Sequence, residues 1–180
     1  MQHHGTSTEY WYAEGTLTAL ERLKFGVTCG ATCLNEADAI PDFVRNHAKG
    51  VERLGIREII GIGPSNPSYP KDFSIWDGGR KNDLTITFED HYDEMERIIS
   101  ELNGSANGRT RLRVVIPTYR GYQKQTETKI QEFAEQARTL RELAEKHNLG
   151  VFQDGHEGGT VEFAHKKLRI LGPDVCSDDC

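Results

Sequence analysis

The side chains best suited to chemistry in this chain stand together after an apolar run, in Gln153-Asp-Gly-His-Glu157. Imidazole titrates near neutral pH and carboxylate oxygen binds hard cations, so Asp154 and His156 are the candidate metal ligands or acid–base groups. Equally open is a plain turn built by Asp154 and Gly155, with His156 solvated. Tyr119, just after Pro117-Thr118, is a candidate substrate contact, with a packing or surface role the plainer reading; Trp76, in a Trp76-Asp-Gly-Gly-Arg80 stretch that reads as a lid or as a covered loop folded back, and His4 of the His3-His4 pair are the others. Adjacent histidines on a strand point to opposite faces and make a poor joint ligand pair, so a mobile N-terminus is the plainer reading there. His47, His91, His147 and His165 fall in or at the ends of helical patterns and read as surface residues.

Two other motifs carry less. Cys29/Cys33 and Cys176/Cys180 are two C-x3-C pairs, and thiolates are good zinc ligands. Cys29 sits in an apolar run, where a small buried thiol is ordinary, and the second pair ends the chain, so a four-cysteine site is disfavoured. Gly61-Ile-Gly63 follows a strand, but Pro64-Ser65-Asn66-Pro67 cannot open the helix a dinucleotide-binding turn needs.

The elements that must position these residues alternate along the chain. Thr6 and Glu9 form a capping-box pattern for a helix to Lys24, with Ala13, Leu17, Leu20 and Leu23 as its expected core stripe and Gly26 as its stop. Phe25 to Leu34 reads as a buried strand, about Glu36 to Leu54 as a helix, and Arg57 to Ile62 as a second strand. Gly63 to Ile86 reads as a long loop, of a length that is often functional. Thr87 with Asp90 caps the next helix, which carries Tyr92, Met95, Ile98, Ile99 and Leu102. Leu112 to Ile116 is a third strand. Glu127 to His147 is a helix with Ile130, Phe133, Ala134, Ala137, Leu140 and Ala144 in one stripe. Leu149 to Gln153 is a fourth strand, and Thr160 to Leu171 a last helix; residues 176–180 read as a disordered tail.

Short strands alternating with helices imply parallel pairing, since each helix returns the chain to the same end of the sheet. An open doubly wound sheet and a piece of a (β/α)8 barrel both satisfy this order, within one domain over 1–180. The net charge of −6, with 22 basic residues spread among 28 acidic ones, argues against nucleic acid and anionic membrane as partners. No apolar run reaches the ~20 residues of a bilayer span, and no signal-peptide pattern is visible, so a cytoplasmic setting is expected.

Three stretches carry a family resemblance. Tyr10-Trp11 ahead of Gly15-Thr-Leu-Thr-Ala-Leu-Glu-Arg-Leu-Lys-Phe-Gly-Val-Thr28 resembles the first helix and second strand of amidohydrolase-superfamily enzymes of the chlorohydrolase and cytosine-deaminase-like branch. Leu54-Gly-Ile-Arg57 is similar to the approach to that family's third strand. Val161-Glu-Phe-Ala164 through Leu171-Gly-Pro-Asp-Val175 is similar to the segment joining its fifth and sixth strands. The resemblance implies a (β/α)8 barrel holding zinc or iron at the C-terminal ends of its strands and hydrolysing C–N or C–Cl bonds of a small molecule with metal-activated water.

The chain departs from that pattern at almost every ligand. The family's first-strand His-x-His is absent, His156 matches the fifth-strand histidine imperfectly, and aligning on Val161 brings Gln153 or Asp154 nearer that position. Where the sixth-strand histidine is due, the chain reads Cys176-Ser-Asp-Asp-Cys180. The expectation is therefore a partial barrel of about four parallel strands, strands two to five, with at most one or two metal ligands and no activity alone. Open sheet edges would favour self-association. Two alternatives remain: a metal-free binding module using the loops at 63–86 and 153–159, and an open-sheet enzyme, which the missing phosphate loop disfavours.

Overall fold

The computed structural model describes residues 7–34, 40, 42–77, 79–153 and 159–177. Helix α1 (Thr8–Lys24) is capped by Ser7, whose side chain accepts from the Tyr10 N–H, and ends where Gly26 takes φ +76°. Strand β1 (Cys29–Cys33), helix α2 (Phe43–Glu52) and strand β2 (Arg57–Ile62) follow. The expected stripe of α1 does not face the core. Leu17, Leu20 and Leu23 are exposed, and the buried positions are Trp11, Gly15 and Ala19.

The reason is the close approach of α1 and α2. A Cβ on Gly15 would lie 2.3 Å from the His47 carbonyl oxygen, and one on Gly50 would lie 2.4 Å from that of Tyr12. Only the small-residue side of α1 fits there, whatever the larger side chains on its other side would gain from burial. Trp11 closes the top of this contact against Phe43, ring centroids 5.6 Å apart.

The segment expected as a long loop contains a hairpin, β3 (Lys71–Asp77) and β4 (Arg80–Ile86), paired antiparallel from Lys71↔Ile86 to Asp77↔Arg80. Its turn uses Gly79 at φ +80°. Phe73 and Ile86 are buried on one face, whereas Ser74 donates to Asp83 (2.6 Å) and Thr85 to Asp72 (2.7 Å) on the other. The proline- and glycine-rich flanks obscure a period-2 alternation that is nonetheless present in Phe73-x-Ile75 and Leu84-x-Ile86.

Helix α3 (Phe88–Leu102) carries the expected capping box, with Thr87 and Asp90 bonding each other's backbone. The four-residue element α4 (Ser105–Gly108) is a turn with Ala106 and Asn107 in the left-handed region, leading into β5 (Thr110–Val115). A 3-10 turn at Tyr122–Lys124 precedes α5 (Glu127–Lys146), and β6 (Val151–Gln153) follows. The final helix is shorter than its sequence suggests: α6 (Thr160–Phe163) widens into a π turn over Ala164–Leu168 and stops at Arg169, φ 57°. Strand β7 (Val175–Ser177) is a fifth strand, so Cys176 and Ser177 belong to the sheet rather than to a disordered tail.

The five strands lie in the order β1-β2-β5-β6-β7, all parallel, with helices on one side: an arc of a (β/α) barrel. Ile60, Ile62, Leu112, Val114, Ile116 and Val151 point into the helical layer and are almost fully buried. The opposite, concave face is open at the β1 end, where Cys29, Ala31 and Cys33 are exposed; the expectation of a buried strand fails there. No helix among the described residues is long and apolar enough to cross a membrane.

Candidate functional site

In parallel α/β sheets the C-terminal ends of the strands form the ligand-facing rim. Here that rim includes Cys33 closing β1 and Leu34 after it, Gly63 and Pro64 after β2, Ile116 and Pro117 after β5, and Gln153 closing β6. Its concave floor is built around a missing side chain. A Cβ on Gly61 would meet Val115 Cγ2 at 2.8 Å, Phe152 Cδ2 at 2.9 Å and Cys33 Sγ at 3.2 Å, so glycine lets three strands place their side chains over one point. Gly63 is tighter still, its would-be Cβ 2.1 Å from the Val115 carbonyl oxygen. The Arg113 guanidinium stands 4.8 Å from the centre of the Phe152 ring, a cation–π contact that puts one positive charge on the floor.

Gln153 is buried and its side-chain amide donates to the Pro117 carbonyl (3.2 Å), which ties the rim ends of β5 and β6 together. Asp154, His156 and His4 lie outside the described residues. Tyr119 is fully buried: its ring stacks on Phe133 at 4.6 Å and its hydroxyl donates to Gln136 Oε1 at 2.9 Å. Burial holds its phenol well above the usual range, so it remains a neutral donor. Gln136 in turn donates to the Ser65 carbonyl (3.0 Å), so Tyr119 braces α5 against the loop after β2 and does not reach an open site. Trp76 is half-exposed on the polar face of the hairpin, in register with Lys81.

Sequence reasoning missed the most heavily charged interior of the molecule. His47 is fully buried on α2, and its ring nitrogens contact Glu14 of α1 (2.6 Å) and Glu58 of β2 (3.1 Å). Glu58 also accepts from Arg22 (2.8 Å) and from Thr32 (2.7 Å). Burial alone would pull the imidazole down, but the bonds to Glu14 and Glu58 outweigh it and raise the pKa to about 9. Burial likewise opposes the Glu58 charge, and the bonds to His47, Thr32 and Arg22 together outweigh it, leaving that carboxyl below its ordinary value. Glu58 is the second residue of β2, at the end opposite the rim, where a charge network reads as architecture. His91 is also buried, so two of the four helix histidines expected on the surface are interior.

Among the described residues no group of three or more His, Cys, Asp or Glu side chains is arranged to hold an ion. The described part of the rim therefore does not by itself fit a resident catalytic metal, which needs about three protein ligands.

No protein-family model matches the chain, and no curated protein matches it. Among solved structures it is similar to an amidohydrolase from an environmental sample of the Sargasso Sea, with TM-score 0.65 and 14% identity over 96% of this chain and 40% of that one. It is also similar to a triazine hydrolase variant, with TM-score 0.57 and 12% identity over 97% of this chain and 42% of that one. The chain thus shares with these two structures the fold of an arc of a (β/α) barrel, and it spans about 40% of the length of those solved chains.

Proposed function

We propose that this chain is part of a metal-dependent hydrolase acting on C–N or C–Cl bonds of a small molecule, and that by itself it is not an active catalyst. The supporting observation is the parallel arc: five strands bring their C-terminal ends to one rim, and the two similar structures named above are an amidohydrolase and a triazine hydrolase. In this reading Asp154 and His156 contribute to binding zinc or iron, and the floor of Gly61, Val115, Phe152 and Arg113 faces the substrate. The test is cobalt(II) titration of the purified chain, followed by its visible absorption, with turnover assays on aminotriazine, aminopyrimidine and chlorotriazine substrates. The expected result is weak binding that His156→Ala abolishes, without turnover. Tight stoichiometric binding with turnover would overturn the inactivity, and binding unchanged in His156→Ala would overturn the ligand assignment.

A second reading, a metal-free binding module, is supported by a cavity of about 520 Å³ lined by Pro67, Ser68, Tyr69, Phe88, Glu132 and Gln136. Pro67, Ser68 and Tyr69 belong to the segment after β2 that the module reading singled out. Ligand binding that survives chelation and responds to Tyr69→Ala would favour it.

A further inference from the structure

Helix α1 is apolar on two sides, and only one of them is used. Trp11, Gly15 and Ala19 pack inward, while Tyr10, Leu17 and Leu20 are 49%, 59% and 41% exposed. At 100° per residue these three and Ala13 lie on the side of the helix opposite the packed one. Their spacing, 10-13-17-20, alternates steps of three and four, which is the pattern of a helix that docks knobs-into-holes on another helix. Phe25, 82% exposed, and Val27, 40% exposed, follow directly at the C-terminal end. With a fully exposed large side chain offering on the order of 200 Å², the stripe itself presents about 300 Å², and Leu23, Phe25 and Val27 on its flanks and at its end add about as much again. That approaches the ~800 Å² per partner of an ordinary stable interface.

We propose that this face of α1 is a self-docking surface, through which two copies of the chain pair antiparallel about a two-fold axis. The free edge of β1 is the less suitable contact. Thr28 accepts from Arg57 and Leu34 donates to Gly61, so in the parallel ladder the alternate residues Cys29, Ala31 and Cys33 turn their backbone groups to the open edge. Arg22 already donates to the Ala31 carbonyl (3.0 Å) while held by Glu58, and a charged side chain laid over an edge blunts strand addition.

The charges on α1 set the direction. Its first turn carries Glu9 and its last turn Glu21, Arg22 and Lys24; Arg22 is directed to Glu58, while Lys24 lies 3.5 Å from Glu21 in an exposed pair that leaves the ammonium open to a second carboxylate. Antiparallel pairing brings Glu9 of one copy toward Lys24 of the other, twice by symmetry. Parallel pairing would set like charges side by side.

The test is sedimentation velocity of the purified chain from about 1 to 100 μM, with circular dichroism to confirm folding. A reversible monomer–dimer equilibrium is expected. Leu17→Glu, at an exposed position, should raise the dimer dissociation constant at least about tenfold while the helical signal is retained. Lys24→Glu should weaken the dimer, and adding Glu9→Lys should restore it. A folded wild-type chain that stays monomeric, or one that forms only polydisperse aggregates, would overturn the proposal. So would a dimer indifferent to Leu17→Glu, and failure of the charge swap to restore pairing would overturn the antiparallel arrangement. None of these readouts depends on hydrolysis, so they stand or fall separately from the proposed activity.

Discussion

Two wedges of helix against sheet in this molecule are built on different chemistry. Around α5, Phe133, Ala137, Leu140, Leu143 and Ala144 share one apolar cluster with Leu112, Val114 and Val151, and the contact is held by burial. Between α1, α2 and β2, small residues allow close backbone approach, and the interior holds His47, Glu14, Glu58, Arg22 and Thr32 in bonds to one another. Apolar packing degrades gradually when atoms are removed. A buried ionic network fails abruptly, because deleting one member leaves the others charged and without a partner in a poorly solvated place.

Breaking the ionic wedge should therefore give the largest effect. Glu58→Ala removes the carboxylate that faces both His47 and Arg22, and a loss of about 3–5 kcal/mol is expected in urea unfolding. Glu58→Gln should cost less, since its amide oxygen can still accept from Thr32. Leu140→Ala tests the apolar wedge: about 3 kcal/mol for a fully buried leucine, with the cost set by how far α5 and the sheet collapse into the void. If Leu140→Ala proves the more damaging of the two, the contrast between the wedges is wrong.

A milder perturbation is pH. The folded-state pKa of His47 is about 9 against an ordinary value of 6.5. Its contribution to stability is therefore fully present below about pH 6.5, and it declines as pH rises through about 9. Denaturation midpoints measured across that window should fall for the wild type and flatten in His47→Leu. A wild-type curve level from pH 6 to 10 would remove the charged imidazole from the account. The smallest effect belongs to a feature common to ordinary helices. Thr87→Ala deletes one side-chain cap of α3 and should cost about 1 kcal/mol by the same unfolding measurement.

Local rules made much of the fold legible. The α5 stripe was readable because one side of the helix is apolar and the other polar, and the Thr87 box because capping involves residues three apart. The parallel order followed from strand–helix alternation. The α1 face was not readable: both sides carry apolar residues, and the choice between them rests on the clearance to the His47 carbonyl, contributed by another helix. Strand β7 spans three residues and exists as a strand through pairing with Val151, Phe152 and Gln153. For Tyr119, at a strand end, the sequence left a ligand contact and a packing role both open, and Gln136 and Phe133, well along the chain, enclose it in the packing role.

Taken alone, the sequence determined the class of the molecule: alternating hydrophobic periods of helix and strand specify parallel units, since each period is a property of consecutive residues. Tertiary structure decided which faces those units bury and where charge goes. Residues 14, 22, 32, 47 and 58 follow no period, and nothing local marks them as neighbours. They meet because α1 and α2 both lie over β2, close enough for carboxylates on separate elements to hold one buried imidazolium.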